Sequence, residues 1–261
     1  MPVTFLVDSS RFGASPVLAM SPALWLDASD AGSVTIATGV SQINDKSGNG
    51  RHFTQGTGAA QPAYLSANKN GLNVLSFDGV DDTLMGAAAS DFTFLHDGTN
   101  YLIAAVWDPG TAGVRGMIGN QNGGDAAGLA LYQSSANNVL VRVTSPLTGN
   151  CISATYTGGM QNSTWNLNTF LVDPDNGTAG SRNSSFLNGG TASATNASTT
   201  ATNSTAATRK LAIGSLSAAG SVYGNGCNGR IAELIIVSGA NATEGNRTIL
   251  RDHLNAKWAV Y

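Results

Sequence analysis

Charge is what this chain has least of. Lys, Arg, Asp and Glu make up 11% of its 261 residues, and the formal net charge is -3. An average soluble domain carries roughly a quarter of its residues as charges. A surface this neutral offers a nucleic-acid backbone nothing to grip, which excludes nucleic-acid binding. Glutamate is scarcer still, present only as Glu233 and Glu244. Histidine occurs at His52, His96 and His253, each without a second His, Cys or Glu at metal-ligand spacing. There is no G-x-S-x-G elbow, no P-loop and no E-x-D-x-E run. Sandwich-fold glycosidases need two carboxylates about 5–10 Å apart in one cleft. Asp78, Asp81 and Asp82 lie in a turn-rich segment with no partner acid that the sequence places. The expectation is that the protein is not an enzyme.

Long apolar runs are also missing. None approaches the roughly 20 residues of a membrane span. The opening stretch "MPVTFLVDSSRFGASPVLAM" has no basic region followed by an apolar core, so it is not a Sec signal peptide. Synthesis and folding in a cytoplasm are expected. The two cysteines, Cys151 and Cys227, form no C-x-x-C pair. They read as unlinked or buried thiols, with a disulfide as the alternative for a chain exposed outside the cell.

What is abundant is Gly, Ser, Thr and Asn among short apolar runs. Residues 1–22 contain Pro2, Pro16 and Pro22 and lack periodicity. They read as an N-terminal arm, with Pro2, Phe5 and Phe12 as its partner-docking residues, leading into one domain over 23–261. "LNVLSFDG" alternates, and "YLIAAVWD" (Tyr101–Asp108) is continuously apolar, as a central strand should be. Many short strands separated by turn residues argue for an all-β fold: an antiparallel two-sheet sandwich or jelly roll. One helix stands out in "NATEGNRTILRDHLNAKW". There Ile249, Leu250, His253, Leu254 and Trp258 recur at helical spacing, with Asn241 or Thr243 as cap. The low-complexity stretch Thr191–Thr208 reads as a long loop or solvated hairpin, or as a flat contact with a neighbouring subunit.

Three carboxylates crowd into "FDGVDD". Asp78 and Gly79 suit a turn, with Asp81 and Asp82 accepting backbone N–H bonds. The alternative is a Ca²⁺ site built from Asp78, Asp81 and Asp82 with Asp27, Asp30 or Asp45 from other loops. Sugars stack on exposed aromatics. Trp25, Trp107 and Trp258 sit in periodic apolar contexts and read as core, which leaves Trp165, in "NSTWNLN", as the glycan-binding candidate.

The order of the motifs "LWLDASD", "VSQINDKSGNGRHFTQ", "QPAYL", "NGLNVLSFDGVDDTL", "LAIGSL", "GRIAELIIVSG" and "NRTILRDHLNAKW" resembles the concanavalin A-like, laminin-G-like jelly-roll domains of phage and bacterial surface proteins. The resemblance runs from about Ala23 to Trp258. It implies two antiparallel sheets packed face to face, with a short C-terminal helix. That fold serves lectins, glycosidases, adhesins and virion parts alike. The expectation drawn from it is a non-enzymatic virion surface protein, made in the bacterial host cytoplasm. Its main form is a head decoration protein bound to the major capsid protein lattice, and a trimer would suit lattice three-folds. The alternative is a lectin-like module for host-surface glycans, on a fibre or a secreted adhesin. A glycosidase is the remote third. No cofactor is expected beyond the Ca²⁺ alternative.

Overall fold

The computed structural model describes residues 15–121, 127–144, 151–190, 204–206, 209–216 and 226–261. Pro2, Phe5 and Phe12, and most of Thr191–Thr208, lie outside the described residues. The strands, in chain order, are β1 (Leu24–Asp27), β2 (Val34–Ile36), β3 (Val40–Ile43), β4 (Phe53–Thr54), β5 (Ala63–Lys69), β6 (Leu72–Ser76), β7 (Leu84–Gly86) and β8 (Tyr101–Asp108). They continue with β9 (Arg115–Gly119), β10 (Gly128–Ser135), β11 (Asn138–Thr144), β12 (Cys151–Thr157), β13 (Asn166–Val172), β14 (Asn183–Leu187), β15 (Ala212–Ile213) and β16 (Arg230–Ser238). Helix α1 (Glu244–Trp258) ends the fold.

Two antiparallel sheets result, as expected. One has the order β14-β13-β8-β16-β6-β5, with β1 also paired to β16; the other runs β12-β11-β10-β9-β15-β7-β4-β3-β2. Strand β8 shows why an unbroken apolar run belongs at the centre. All eight of its residues are buried. Tyr101, Ile103, Ala105 and Trp107 point into the core between the sheets. Leu102, Ala104 and Val106 point the other way, into a second core under α1. Both faces of the strand are covered, so the period-2 pattern of a half-buried strand vanishes.

Helix α1 lies on that outer face. Thr243 is its cap, its hydroxyl accepting from the Asn246 amide at 3.2 Å. The buried stripe is Arg247, Leu250, Leu254 and Trp258. It differs from the sequence pattern at two positions: Ile249 is 45% exposed, and Arg247 is only 5% exposed. Arg247 tolerates burial because Glu244 accepts from it at 2.8 Å and its guanidinium lies 3.8 Å from the Phe186 ring centre. His253 is half-buried. Residues 15–22 also depart from the reading as an arm. Val17 and Met20 are buried in the second core beside Trp25 and Leu250, and Asn241 Nδ2 donates to the Met20 carbonyl at 3.0 Å. This stretch packs on the domain because two apolar side chains, Val17 and Met20, are buried in the second core.

A buried ionic node ties these pieces together. Strand β16 carries a β-bulge between Ile231 and Glu233, opposite Trp107 and Val106 of β8. The extra residue shifts the alternation by one, which turns Glu233 from the inter-sheet core towards α1. There Glu233 stands directly across from Asp27 of β1. Two like charges at one cross-strand position repel, and both are buried, at 1% and 4% exposure. Lys257 resolves the conflict by bridging both at 2.7 Å. Trp25 Nε1 and Trp258 Nε1 donate to Glu233 at 2.8 and 2.7 Å, and Lys46 pairs with Asp27 at 3.0 Å. Burial works against ionisation of Asp27. The Lys257 charge, with hydrogen bonds from Lys257, Ser29 and Lys46, outweighs it and holds the carboxyl below its ordinary 3.8.

Removing one member of a buried ionic group strands the others. Lys257→Met is therefore expected to lower the unfolding free energy by about 3–5 kcal/mol, read from urea denaturation at pH 7. Because the folded pKa of Asp27 is depressed, its contribution is present above the unfolded value of 3.8 and is lost as pH falls through the folded one.

Candidate functional site

The two turn motifs that mark this sequence have clear structural tasks. In "DKSGNG", Asp45 accepts from the Trp25 amide at 3.1 Å, the Ser47 amide at 2.9 Å and the Arg51 amide at 3.0 Å. Asn49 Nδ2 and Arg51 Nη1 donate to the Pro22 and Ala23 carbonyls at 2.9 and 2.8 Å. The loop thus clamps β1 and brings Lys46 to the ionic node.

In "FDGVDD", Phe77 enters the inter-sheet core. Asp82 accepts from the Asp78 amide at 2.9 Å, and Asp78 accepts from the Val80 amide at 2.8 Å. Gly79 has φ 82°, and a Cβ there would lie 2.7 Å from Cβ of Asn228. The turn forms at Asp78 and Gly79 with Asp82 as an acceptor, as expected, while the second acceptor is Asp78 where the sequence suggested Asp81; it is pressed against the loop that precedes β16. The carboxylate oxygens of Asp78, Asp81 and Asp82 lie within 4.8 Å of one another, close enough to share a hard cation. Asp27, Asp30 and Asp45, offered by the sequence as further ligands, do not join them. Asp27 and Asp30 are held by Lys46, and Asp45 is held in its own turn. Asp82 is only 6% exposed. Burial, then the charges of Asp78 and Asp81, push its carboxyl up to about 6 against the bond from the Asp78 amide.

Beside this turn a cleft of about 290 Å³ opens, lined by Ser76, Phe77, Asp108, Gly110, Thr111, Ser163, Asn228, Gly229 and Arg230. It sits where β6, β8 and β16 reach one end of their sheet. Register places Arg230 between Ser76 and Asp108. Its floor is backbone packed against backbone. A Cβ on Gly110 would lie 1.6 Å from the Asn228 carbonyl oxygen, and one on Gly229 would lie 2.1 Å from the Asp108 carbonyl oxygen. Only glycine allows the two segments so close.

Arg230 organises the polar wall. It pairs with Asp108 through a short bond, and its Nη1 donates to Asn68 Oδ1 at 2.9 Å. Its guanidinium carbon lies 5.1 Å from the centre of the Trp165 ring. Trp165 therefore meets the cleft through Arg230 while partly packing on the second core. Asn228 Nδ2 and Thr111 Oγ1 face each other at 3.4 Å, and the Ser163 hydroxyl is 3.3 Å from the Gly110 carbonyl. Amide, hydroxyl, carboxylate and guanidinium groups so converge on one hollow. The sequence reading missed Arg230 and Asp108. The other tryptophans are core, as expected, and Trp107 Nε1 donates to Asn168 at 2.7 Å. Cys227 is a buried free thiol. Burial and the nearby Asp108 push it up to about 12. The side chain of Cys151 lies outside the described residues.

No family model matches the sequence, and no curated protein matches it. Solved structures do match. The chain is similar to the botulinum neurotoxin serotype D binding domain, with TM-score 0.57 and 10% identity over 92% of this chain and 53% of that one. It is similar to botulinum neurotoxin type C, whose cell entry depends on interaction with two ganglioside molecules; here the TM-score is 0.55 and the identity 12%, over 89% of this chain and 50% of that one. It is also similar to Trypanosoma rangeli sialidase in complex with 2,3-difluorosialic acid, with TM-score 0.55 and 14% identity over 98% of this chain and 36% of that one. The chain thus spans about half, or less, of the length of these proteins. At such identities the likeness is one of fold, a two-sheet β-sandwich. No helix among the described residues is long and apolar enough to cross a membrane.

The turn and the cation make different predictions for "FDGVDD". The folded pKa of Asp82 lies above its unfolded 3.8, so its ionisation costs stability as pH rises through about 6. Asp82→Asn keeps an oxygen for the Asp78 amide. It is expected to melt several degrees above the parent at pH 7.5, with the gap closing towards acid pH. Added Ca²⁺ leaves the melting temperature unchanged for a turn alone. A bound ion would raise it, and Asp81→Asn would remove the rise.

Proposed function

We propose that this chain is a non-catalytic glycan-binding module and that its binding site is the Asp108–Arg230 cleft. The observation that carries the reading is the convergence of Asp108, Thr111, Ser163, Asn228 and Arg230 on one hollow with a glycine-tight floor. A saccharide presents many hydroxyls, each both donor and acceptor. A wall mixing carboxylate, amide, hydroxyl and backbone groups answers that pattern. The fold neighbours lend support, since one depends on gangliosides for cell entry and another holds a sialic acid derivative.

Two features favour binding over hydrolysis. Asp108 is the one carboxylate among the residues that line the cleft, whereas glycoside hydrolysis generally requires two. Two groups of carboxylates do stand together: Asp27 and Glu233 are buried under lysines and indoles, and Asp78, Asp81 and Asp82 share a turn outside the residues that line the cleft. Head decoration was the first expectation from the sequence resemblance. The fold neighbours favour its lectin-like alternative and bring nothing towards a capsid lattice. A virion address and a capsid partner rest on that resemblance alone.

The test is a glycan array followed by calorimetry on the best ligand. Asn228→Ala with Thr111→Ala is expected to weaken binding at least tenfold while the melting temperature moves by no more than a few degrees. Undiminished affinity in that variant would place the site elsewhere, and an array with no ligand would end the reading.

A further inference from the structure

Resting on that reading, we infer that the saccharide taken by the Asp108–Arg230 cleft is uncharged, and that the site discriminates against sugars bearing a carboxylate. A cationic side chain in a sugar cleft ordinarily invites an acidic ligand. Here the cation is already engaged. Arg230 gives one terminal nitrogen to Asp108 and the other to Asn68, and its guanidinium carbon lies 5.1 Å from the centre of the Trp165 ring. A carboxylate that took the N–H groups left on Arg230 would share the guanidinium with Asp108, whose charge already offsets it, and two carboxylates at one site repel.

The rim adds to the discrimination. Ser76 and Phe77 line the cleft, and the acidic turn follows directly. Gly79 is pressed on Asn228, itself a lining residue. Asp78 and Asp81 are exposed there. Among the described residues the ion pairs of the molecule lie elsewhere and none reaches Asp78, Asp81 or Asp82. Charges on the rim act over about 8 Å in physiological salt. An anionic sugar therefore meets uncompensated negative charge at the mouth and a neutralised pair at the wall. A neutral sugar meets only hydrogen-bonding groups. The fold neighbours that handle sialic acid or gangliosides would on this account differ from this chain in ligand charge.

Matched glycans that differ only by a terminal sialic acid or uronate decide the matter. The neutral member of each pair is expected to bind at least fivefold more tightly at low salt. That ratio should shrink as salt is raised, and shrink again in Asp78→Asn with Asp81→Asn, whose affinity for the neutral sugar stays unchanged. Equal or tighter binding of the acidic member would overturn the inference and leave the glycan-binding reading standing. A ratio that ignores both salt and the double variant would also overturn it. Absence of binding by either member would remove both.

Discussion

The buried meeting of Asp27 and Glu233 is the constraint on which the rest of the molecule hangs. Two carboxylates at one cross-strand position, out of water, are untenable without cations and donors. The cations and indoles that make them tenable come from three separate parts of the chain. Lys46 arrives on the "DKSGNG" loop, Trp25 on the first strand, and Lys257 and Trp258 on the last turn of the helix. The node forms only when all of these are in place. It therefore joins the beginning and end of the described domain and seats α1 on the outer face of its sheet.

The cleft inherits its geometry from the same strand. Arg230 opens β16, and Glu233 follows it within the same turn of alternation. The bulge between Ile231 and Glu233 lets one strand serve both. Before it, Arg230 shares the outer face with Ala232 and meets Asp108. After it, the residues are re-phased so that Glu233 faces the helix while Leu234 and Ile236 return to the inter-sheet core. The tight glycine floor then fixes the loops of β8 and β16 against each other. The wall is preorganised by charge pairing, so little ordering remains for a ligand to bring about.

Much of the fold was legible because it rests on local rules. Asp-Gly and Gly-Asn punctuation marked the turns, the apolar run Tyr101–Asp108 marked the central strand, and Thr243 with Glu244 marked the start of the helix. The candidate site was less legible. Strict alternation along "GRIAELIIV" puts Glu233 on the face of Ile231, inside the sandwich, and nothing local announces the bulge. Asp108 and Arg230 lie 122 residues apart and come together only through the pairing of β8 with β16. Trp165 reads as the least committed indole; it is not among the residues that line the cleft, and it touches Arg230 from the side of the second core. Ile249 misled because helical spacing alone does not tell which side of a stripe the sheet will cover. Arg247, the residue that takes the buried place, needed Glu244 and Phe186 to make its burial tolerable.

The central claim is the location of sugar binding. It is tested most directly by following the backbone amide resonances of the ¹⁵N-labelled protein while a glycan is added. The account predicts shifts confined to Gly110, Thr111, Ser163 and Asn228 to Arg230, with the helix and the ionic node unmoved. Shifts centred on another face of either sheet would contradict it.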